Sequence, residues 1–397
     1  MKVLIDYLKK IKINIFFLGL AFMCIFMNAN KYFLISENYI FQFICVIFSF
    51  ILVIYRRKMI IDENMIFGVL FLVVVLISAI IAGEKLSSGV FLSYLLMSFL
   101  YIGLVILPVK KNEILYLLWT SIVGAMIASI LVVIFRVDYF GSGGERFTIQ
   151  IGNGSKIDPN YLGAYLSFAS SIALSFLIYK EKKKYVTIIC MLLILGTLLT
   201  GSRGAMIGLF VSIIFTLVQY LFKKNDRQLV KRIILGIIFM IVLIYFVLKF
   251  LPENVLIRFF ASSYVDGSNN RRIILWKNAF LAIQNHWILG SGCIEEADII
   301  AKYVGTSQPA HNTFLGIWLQ LGIVGFFSII WILVRQAFIA IRNKNYLLVG
   351  TILNVSITSF IIGASCTMTF WETLIIAVLI NRCYKKDNLS KGDIYET

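Results

Sequence analysis

The chain has 397 residues, of which 60% are hydrophobic and only 14% charged. Soluble domains carry roughly 25% charged residues, so this composition excludes an ordinary soluble globular protein and points to lipid. A formal charge of +17 would suggest nucleic acid in a soluble chain; here the cations lie in short segments between apolar runs, where they read as membrane retention charges, and no nucleic-acid partner is expected.

A helix crosses the ~30 Å hydrocarbon core in about 20 apolar residues. Lys2, Lys9, Lys10 and Lys12 precede a first apolar run at 13–29. No small-x-small cleavage site follows Met27, so the run reads as an uncleaved span rather than a signal peptide. Further spans are expected at 39–55, 65–82, 89–107, 114–135, 160–179, 185–201, 204–222, 233–251, 313–334, 346–363 and 368–383. The fold class is therefore an all-α integral membrane protein of about twelve transmembrane helices, forming one polytopic domain over 1–397.

Charge sets the expected orientation. With the N-terminus inside, the inner turns hold Arg56, Arg57 and Lys58; Lys110 and Lys111; Lys180 and Lys182 to Lys184; Lys223, Lys224, Arg227, Lys231 and Arg232; Arg335, Arg342 and Lys344; and Arg382, Lys385, Lys386 and Lys391. The short outer turns hold only Lys31, Lys85 and Arg203. Both ends are thus expected in the cytoplasm. Two longer loops fall outside, 136–159 and 252–312. Within the second, Ile273, Trp276, Phe280, Ile283 and Trp287 recur at helical spacing, with Arg271, Arg272 and Lys277 nearby. That pattern reads as an amphipathic helix at the outer interface, or as a soluble helix packed on the loop's own core.

The inner turns show no P-loop, GxGxxG or DxD signature, so chemistry on cytoplasmic nucleotides is not expected. The six cysteines form no CxxC pair, which argues against a metal site. The distinctive polar residues are all on the outer side. Arg203 lies in Thr200-Gly201-Ser202-Arg203-Gly204, a break in the apolar stretch 185–222 that is too long for one crossing. An arginine near the bilayer costs several kcal/mol unless paired or hydrated, and its fork matches two phosphate oxygens; snorkelling to lipid headgroups is the plainer reading. Arg271 and Arg272 precede the interfacial helix and suit a lipid diphosphate or ordinary headgroups equally. His311, in Ala310-His311-Asn312-Thr313, stands where the long loop re-enters the membrane, with Asn312 or Thr313 as a helix cap. A histidine there suits a general base, although single histidines are often structural. His286 reads as interfacial or structural, and Asp158-Pro159-Asn160 as a turn before a helix.

Taken in order, these segments resemble the O-antigen ligase/polymerase family, the Wzy-type polysaccharide polymerases and lipopolysaccharide ligases. The stretches that carry the likeness are Asp158-Pro159-Asn160, Gly201-Ser202-Arg203-Gly204-Ala205, Arg272 four residues before Trp276, Asn285 to Gly292, and His311-Asn312-Thr313-Phe314-Leu315 with Leu319-Gln320-Leu321-Gly322-Ile323-Val324-Gly325. The likeness covers roughly 155–335. It implies a GT-C-like, inverting, metal-independent glycosyltransferase without cofactor. The implied donor is a glycan on undecaprenyl diphosphate at the outer leaflet of the cytoplasmic membrane. Arg203 and Arg272, with Arg271 as the adjacent alternative, match the family's diphosphate-binding arginines, and His311 its essential histidine. Asp158, Asn160, Asn312 and His286 are supporting candidates; the family's usual His-Pro is His286-Trp287 here, which weakens the case for His286.

The motifs do not separate a polymerase of surface-polysaccharide repeat units, such as capsule or exopolysaccharide, from a ligase to lipid A core or an oligosaccharyltransferase to protein. The Lys-, Ile- and Asn-rich composition favours the polymerase, for which a chain-length regulator or other assembly protein is an expected partner. A flippase or transporter is disfavoured because few ionisable residues lie at mid-span, and a passive scaffold is the blandest alternative.

Overall fold

The computed structural model describes residues 39–139, 144–150, 156–179, 184–222, 252–260, 268–363 and 367–392, with 238, 245, 249 and 365 singly. The expected span 13–29 and, apart from those single residues, that at 233–251 lie outside the described residues. Every other expected span falls on a helix. The helices are α1 (Tyr39–Arg56), α2 (Glu63–Ala82), α3 (Ser88–Val105), α4 (Lys111–Ile134), α5 (Pro159–Tyr179), α6 (Lys184–Leu199) and α7 (Arg203–Phe222). After these come α8 (Glu253–Phe260), α9 (Ser268–Asn285), α10 (Glu296–Val304), α11 (Thr313–Arg342), α12 (Tyr346–Ser359) and α13 (Met368–Gly392). A two-stranded antiparallel hairpin, β1 (Val137–Asp138) and β2 (Phe147–Thr148), occupies the first long loop.

Among the described residues, four helices are long and apolar enough to cross a bilayer: Glu63–Lys85, Ser88–Val105, Glu113–Ile134 and Thr313–Arg342. Shorter apolar helices accompany them at Gln42–Arg56, Lys184–Leu199, Arg203–Gln219 and Tyr346–Ser359. The protein is an all-α membrane protein. On α2 one flank is buried through Phe71, Val74, Val75 and Ser78, while Ile66, Leu70, Val73, Ile77 and Ile80 are exposed; exposed aliphatics on that scale need lipid rather than water. The helix α13 sits at the centre, packed on α3, α4, α5, α11 and α12. Its Trp371 is fully buried, with Phe71 and Tyr101 edge-on at 5.3 and 6.1 Å and its indole N–H donated to the Ser365 carbonyl at 2.7 Å.

Lipid tails are as apolar as leucine, so helices in a bilayer associate through close packing and interhelical hydrogen bonds. Asn354 on α12 donates to Ser171 Oγ (2.7 Å) and the Ser167 carbonyl (2.9 Å) on α5, and Ser212 on α7 donates to the Gly350 carbonyl (3.1 Å). At one end of the bundle, ion pairs Arg56–Glu113, Arg335–Glu63 and Arg382–Asp62 link α1, α2, α4, α11 and α13. Asp62 also caps α2, accepting from the Asn64 and Met65 amides. The candidate site lies at the opposite end.

The 30-residue α11 is broken at Gly322, whose φ of 71° and ψ of −173° are not helical. The carbonyls and amide freed by the break are taken up by the chain after α9. Ser291 N–H donates to Leu319 O (2.8 Å), Gly292 N–H to Gln320 O (3.1 Å), and Ile323 N–H to Trp287 O (2.9 Å). Two of the sequence motifs are therefore one structural joint. Both glycines are required there: a Cβ on Gly290 would lie 2.4 Å from Gln320 O, and one on Gly322 would lie 2.1 Å from Ile288 O. With φ of 74° at Gly290 as well, Gly290→Ala is expected to cost roughly 3 kcal/mol from clash and backbone strain together. A lowered thermal midpoint of the purified protein in detergent checks this, and a midpoint unchanged from wild type would contradict the joint.

The loop helix expected at 271–287 runs over Ser268–Asn285. It uses two faces. Leu275, Ala279, Ala282 and Ile283 are buried, the last three in a small core with Ile299, Ile300, Ala310 and Leu319, while Ile273, Ile274, Phe280 and Leu281 are exposed. The stripe expected from the sequence is thus split: Ile283 joins the loop's own core, Ile273 and Phe280 stay exposed, and Trp287 lies beyond the end of the helix. Helices α11 and α13 outrun the expected 313–334 and 368–383 because neither continuation contains proline, and glycine comes only at Gly392.

Candidate functional site

Three helix N-termini converge at the end away from the ion pairs. The start of α5 is set by Asp158, which accepts from the Asn160 amide at 2.7 Å, followed by Pro159 at the first helical position, where its missing N–H costs nothing. The start of α7 follows the three-residue turn Thr200–Ser202, with Gly201 at φ 59°. Ser202 donates its hydroxyl to Asn160 Oδ1 at 3.2 Å, tying α7 to α5. Gly163 permits this approach: a Cβ there would meet Thr200 Oγ1 at 2.7 Å and Ser202 Cβ at 3.0 Å. Arg203 is the first residue of α7 and is half-buried. The start of α11 is capped by Asn312, whose Oδ1 accepts from the Phe314 and Leu315 amides at 3.0 and 3.1 Å.

The segment after α12 holds these three starts together. Thr313 donates to Ile362 O and Tyr161 to Gly363 O, both at 2.8 Å, and Gly204 packs on Ile361. Several of their first amides are taken up by their own caps, at Asp158, Ser202 and Asn312, so what the three starts share is the positive end of each helix dipole, which favours an anion nearby.

His311 stands just before the α11 cap, exposed and in a left-handed conformation with φ of 48°. The protein around it removes enough water to hold its pKa below the ordinary histidine value; Asp158 opposes that shift, and Arg272 and Arg271 add to it. The histidine, the aspartate of the α5 turn and both arginines of α9 therefore share one electrostatic neighbourhood. Arg272 is the more buried of the two arginines; Arg271 is exposed and donates to Gln308 Oε1 at 3.4 Å. Beside them, Ile273, Trp276, Lys277, Phe280, Leu281 and Leu315 line a groove of about 500 Å³, apolar except for the lysine.

Sequence reasoning missed two charged groups here. Arg146, from the hairpin, lies 3.8 Å from Asp158 and over the Tyr139 ring; nothing in its local sequence marks it. Glu296 accepts from the Ala310 amide at 3.2 Å. Its signal was legible in principle, since Glu296, Ile299 and Ile300 fall on one helical face and the two isoleucines are buried. His286 is placed elsewhere: its Nε2 is 2.7 Å from the Tyr303 hydroxyl, and its carbonyl accepts from the Gly290 amide at the end of α9.

Residues 188–330 match the family model described as O-antigen ligase. The matched segment takes in Arg203, Arg271, Arg272, His286, the α11 break and His311, and leaves out Asp158 and Asn160. This supports the resemblance read from the motifs. Over that segment the chain is similar to the O-antigen ligases. A curated relative from Haemophilus influenzae, described as an uncharacterized protein, is 28% identical over 259 residues, covering 60% of this chain and 62% of its own length. The matched part of this chain contains His311, the three candidate arginines and the groove-lining residues, while Asp158 and Arg146 come before it.

Proposed function

We propose that the protein is a membrane glycosyltransferase that transfers a glycan from a polyprenyl-diphosphate carrier to an acceptor hydroxyl on the extracytoplasmic side, joining repeat units into a surface polysaccharide. What supports this reading is the electrostatic influence of Arg272, Arg271 and Asp158 on His311, beside an apolar groove and where the starts of α5, α7 and α11 are tied together. A lipid diphosphate has matching parts, an anionic headgroup and a hydrocarbon chain.

The sugar–phosphate bond is already activated, so no nucleotide is required. The acceptor oxygen attacks the anomeric carbon as its proton passes to the imidazole of His311. The bond from the anomeric carbon to the phosphate oxygen breaks, and its electron pair leaves with the diphosphate. Charge grows on that leaving group, and Arg203 and Arg272 are the cations proposed to meet it, in a site partly shielded from water. A single displacement inverts the anomeric centre. Asp158 is proposed to orient His311 electrostatically. The active site is read as facing outward because the ion-paired end carries the cations that the positive-inside rule assigns to the cytoplasm.

The family description, O-antigen ligase, favours a second reading in which the acceptor is lipid A core rather than another repeat unit. Purified protein in detergent, given the polyprenyl-diphosphate repeat unit alone, is expected to yield a ladder of lipid-linked glycans. Transfer only after a lipid A core is added would establish the ligase. No transfer to any acceptor by folded protein would overturn both.

A further inference from the structure

One titratable side chain at the site has no part in the chemistry above. Glu296 is the first residue of α10, half-buried beneath the turn that carries His311. Its Oε2 accepts the Ala310 N–H at 3.2 Å. Its Oε1 presses on the first turns of α11: a Cβ on Gly316 would lie 2.2 Å from it, and one on Gly363 would lie 3.9 Å away. Ala310 is fully buried, and a buried amide needs an acceptor. The following residue, His311, adopts the left-handed region that a side chain with a Cβ disfavours. Such a conformation persists only where the surroundings over-determine it. The turn is pinned on both sides of the histidine, at Ala310 by Glu296 and at Asn312 and Thr313 by the α11 cap and Ile362.

We infer that Glu296 is a positioning residue, whose carboxyl grips the Ala310 amide against the bare Gly316 backbone and so holds the His311 turn in its strained conformation. The inference rests on the reading of His311 as the proton acceptor. Burial pushes the Glu296 carboxyl up to about 7, with the Ala310 amide opposing that rise and Glu295 adding to it. The group therefore spends much of its time neutral near pH 7, and a neutral acid keeps an acceptor oxygen for the amide. What the turn needs is an acceptor of this shape, and an amide side chain supplies one.

The test compares E296Q, E296A and G316A in the full-length protein, by steady-state transfer from the polyprenyl-diphosphate repeat unit and by hydrogen–deuterium exchange of the Ala310 amide. E296A and G316A are expected to lower kcat roughly tenfold to hundredfold, as misplacement of a reacting group does, with donor KM nearly unchanged because the proposed diphosphate arginines are untouched. The Ala310 amide should exchange faster in both. E296Q should keep the protection and most of the kcat. Loss of kcat in E296Q equal to that in E296A would overturn the inference, since the ionisable group itself would then be needed. Unchanged Ala310 exchange in E296A would overturn it as well. Should the wild type transfer to no acceptor, the proposed function falls, and the exchange data alone decide whether Glu296 holds the turn.

Discussion

Arg203→Ala is expected to lower transfer by about 10²–10³-fold, the usual cost of removing one preorganised charge from a developing anion. Arg203 opens α7 directly after Ser202, which is bonded to Asn160, so its backbone is fixed by two helices. It contributes a guanidinium where helix dipole and side-chain charge have the same sign. Arg203→Lys should recover only part of the loss, because an ammonium cannot span two phosphate oxygens in the fork geometry of arginine. The measurement is turnover of purified protein at saturating donor. Insertion and a thermal midpoint near wild type serve as the folding control. Full activity in well-folded Arg203→Ala would remove this residue from the site.

His311→Ala should be comparably severe, about 10²–10⁴-fold, if the imidazole takes the acceptor proton. The pH dependence is the sharper test. Loss of water around the ring holds the imidazole below the ordinary histidine value, Asp158 pulls it back, and Arg272 and Arg271 push it down further. The free base therefore dominates at pH 7. The rate of the wild type should rise as pH increases through a midpoint below 6.5 and then level off. Removing the charge that opposes the shift, in Asp158→Asn, should move that rising limb to lower pH. His311→Ala should lose the limb altogether. A limb that stays in place without His311 belongs to another group.

The helices of the bundle were legible because each apolar run is bounded by charges or by breakers. The turn between α6 and α7 was readable from Gly201-Ser202-Arg203-Gly204 alone, since the stretch 185–222 is too long for one crossing. The joint between Gly290 and Gly322 was not. Its two halves are visible as motifs, but only tertiary contact shows that one repairs the backbone bonds the other breaks. In the same way, His311, Arg203 and Arg272 stood out because a charged or titratable residue at the edge of an apolar segment is costly and so noticeable. From its own residues Asp158 read as a turn before a helix, and only the resemblance made it a supporting candidate, because its influence on His311 depends on how α5 and α11 pack. Glu296 was hidden among other acids, with Glu295 beside it and no pattern read across α10. Arg146 reaches the site through a hairpin too short to announce itself in sequence.

The central place of α13 has a consequence for how the protein is made. Every helix it touches precedes it in the chain. A ribosome therefore delivers α3, α4, α5, α11 and α12 to the bilayer before the element that fills the space among them. Until Trp371 and its neighbours arrive, the polar groups destined for that interior have no final partners, Ser121, which pairs with Glu372, among them. The interior of the bundle is thus completed only when the last of these helices has been made.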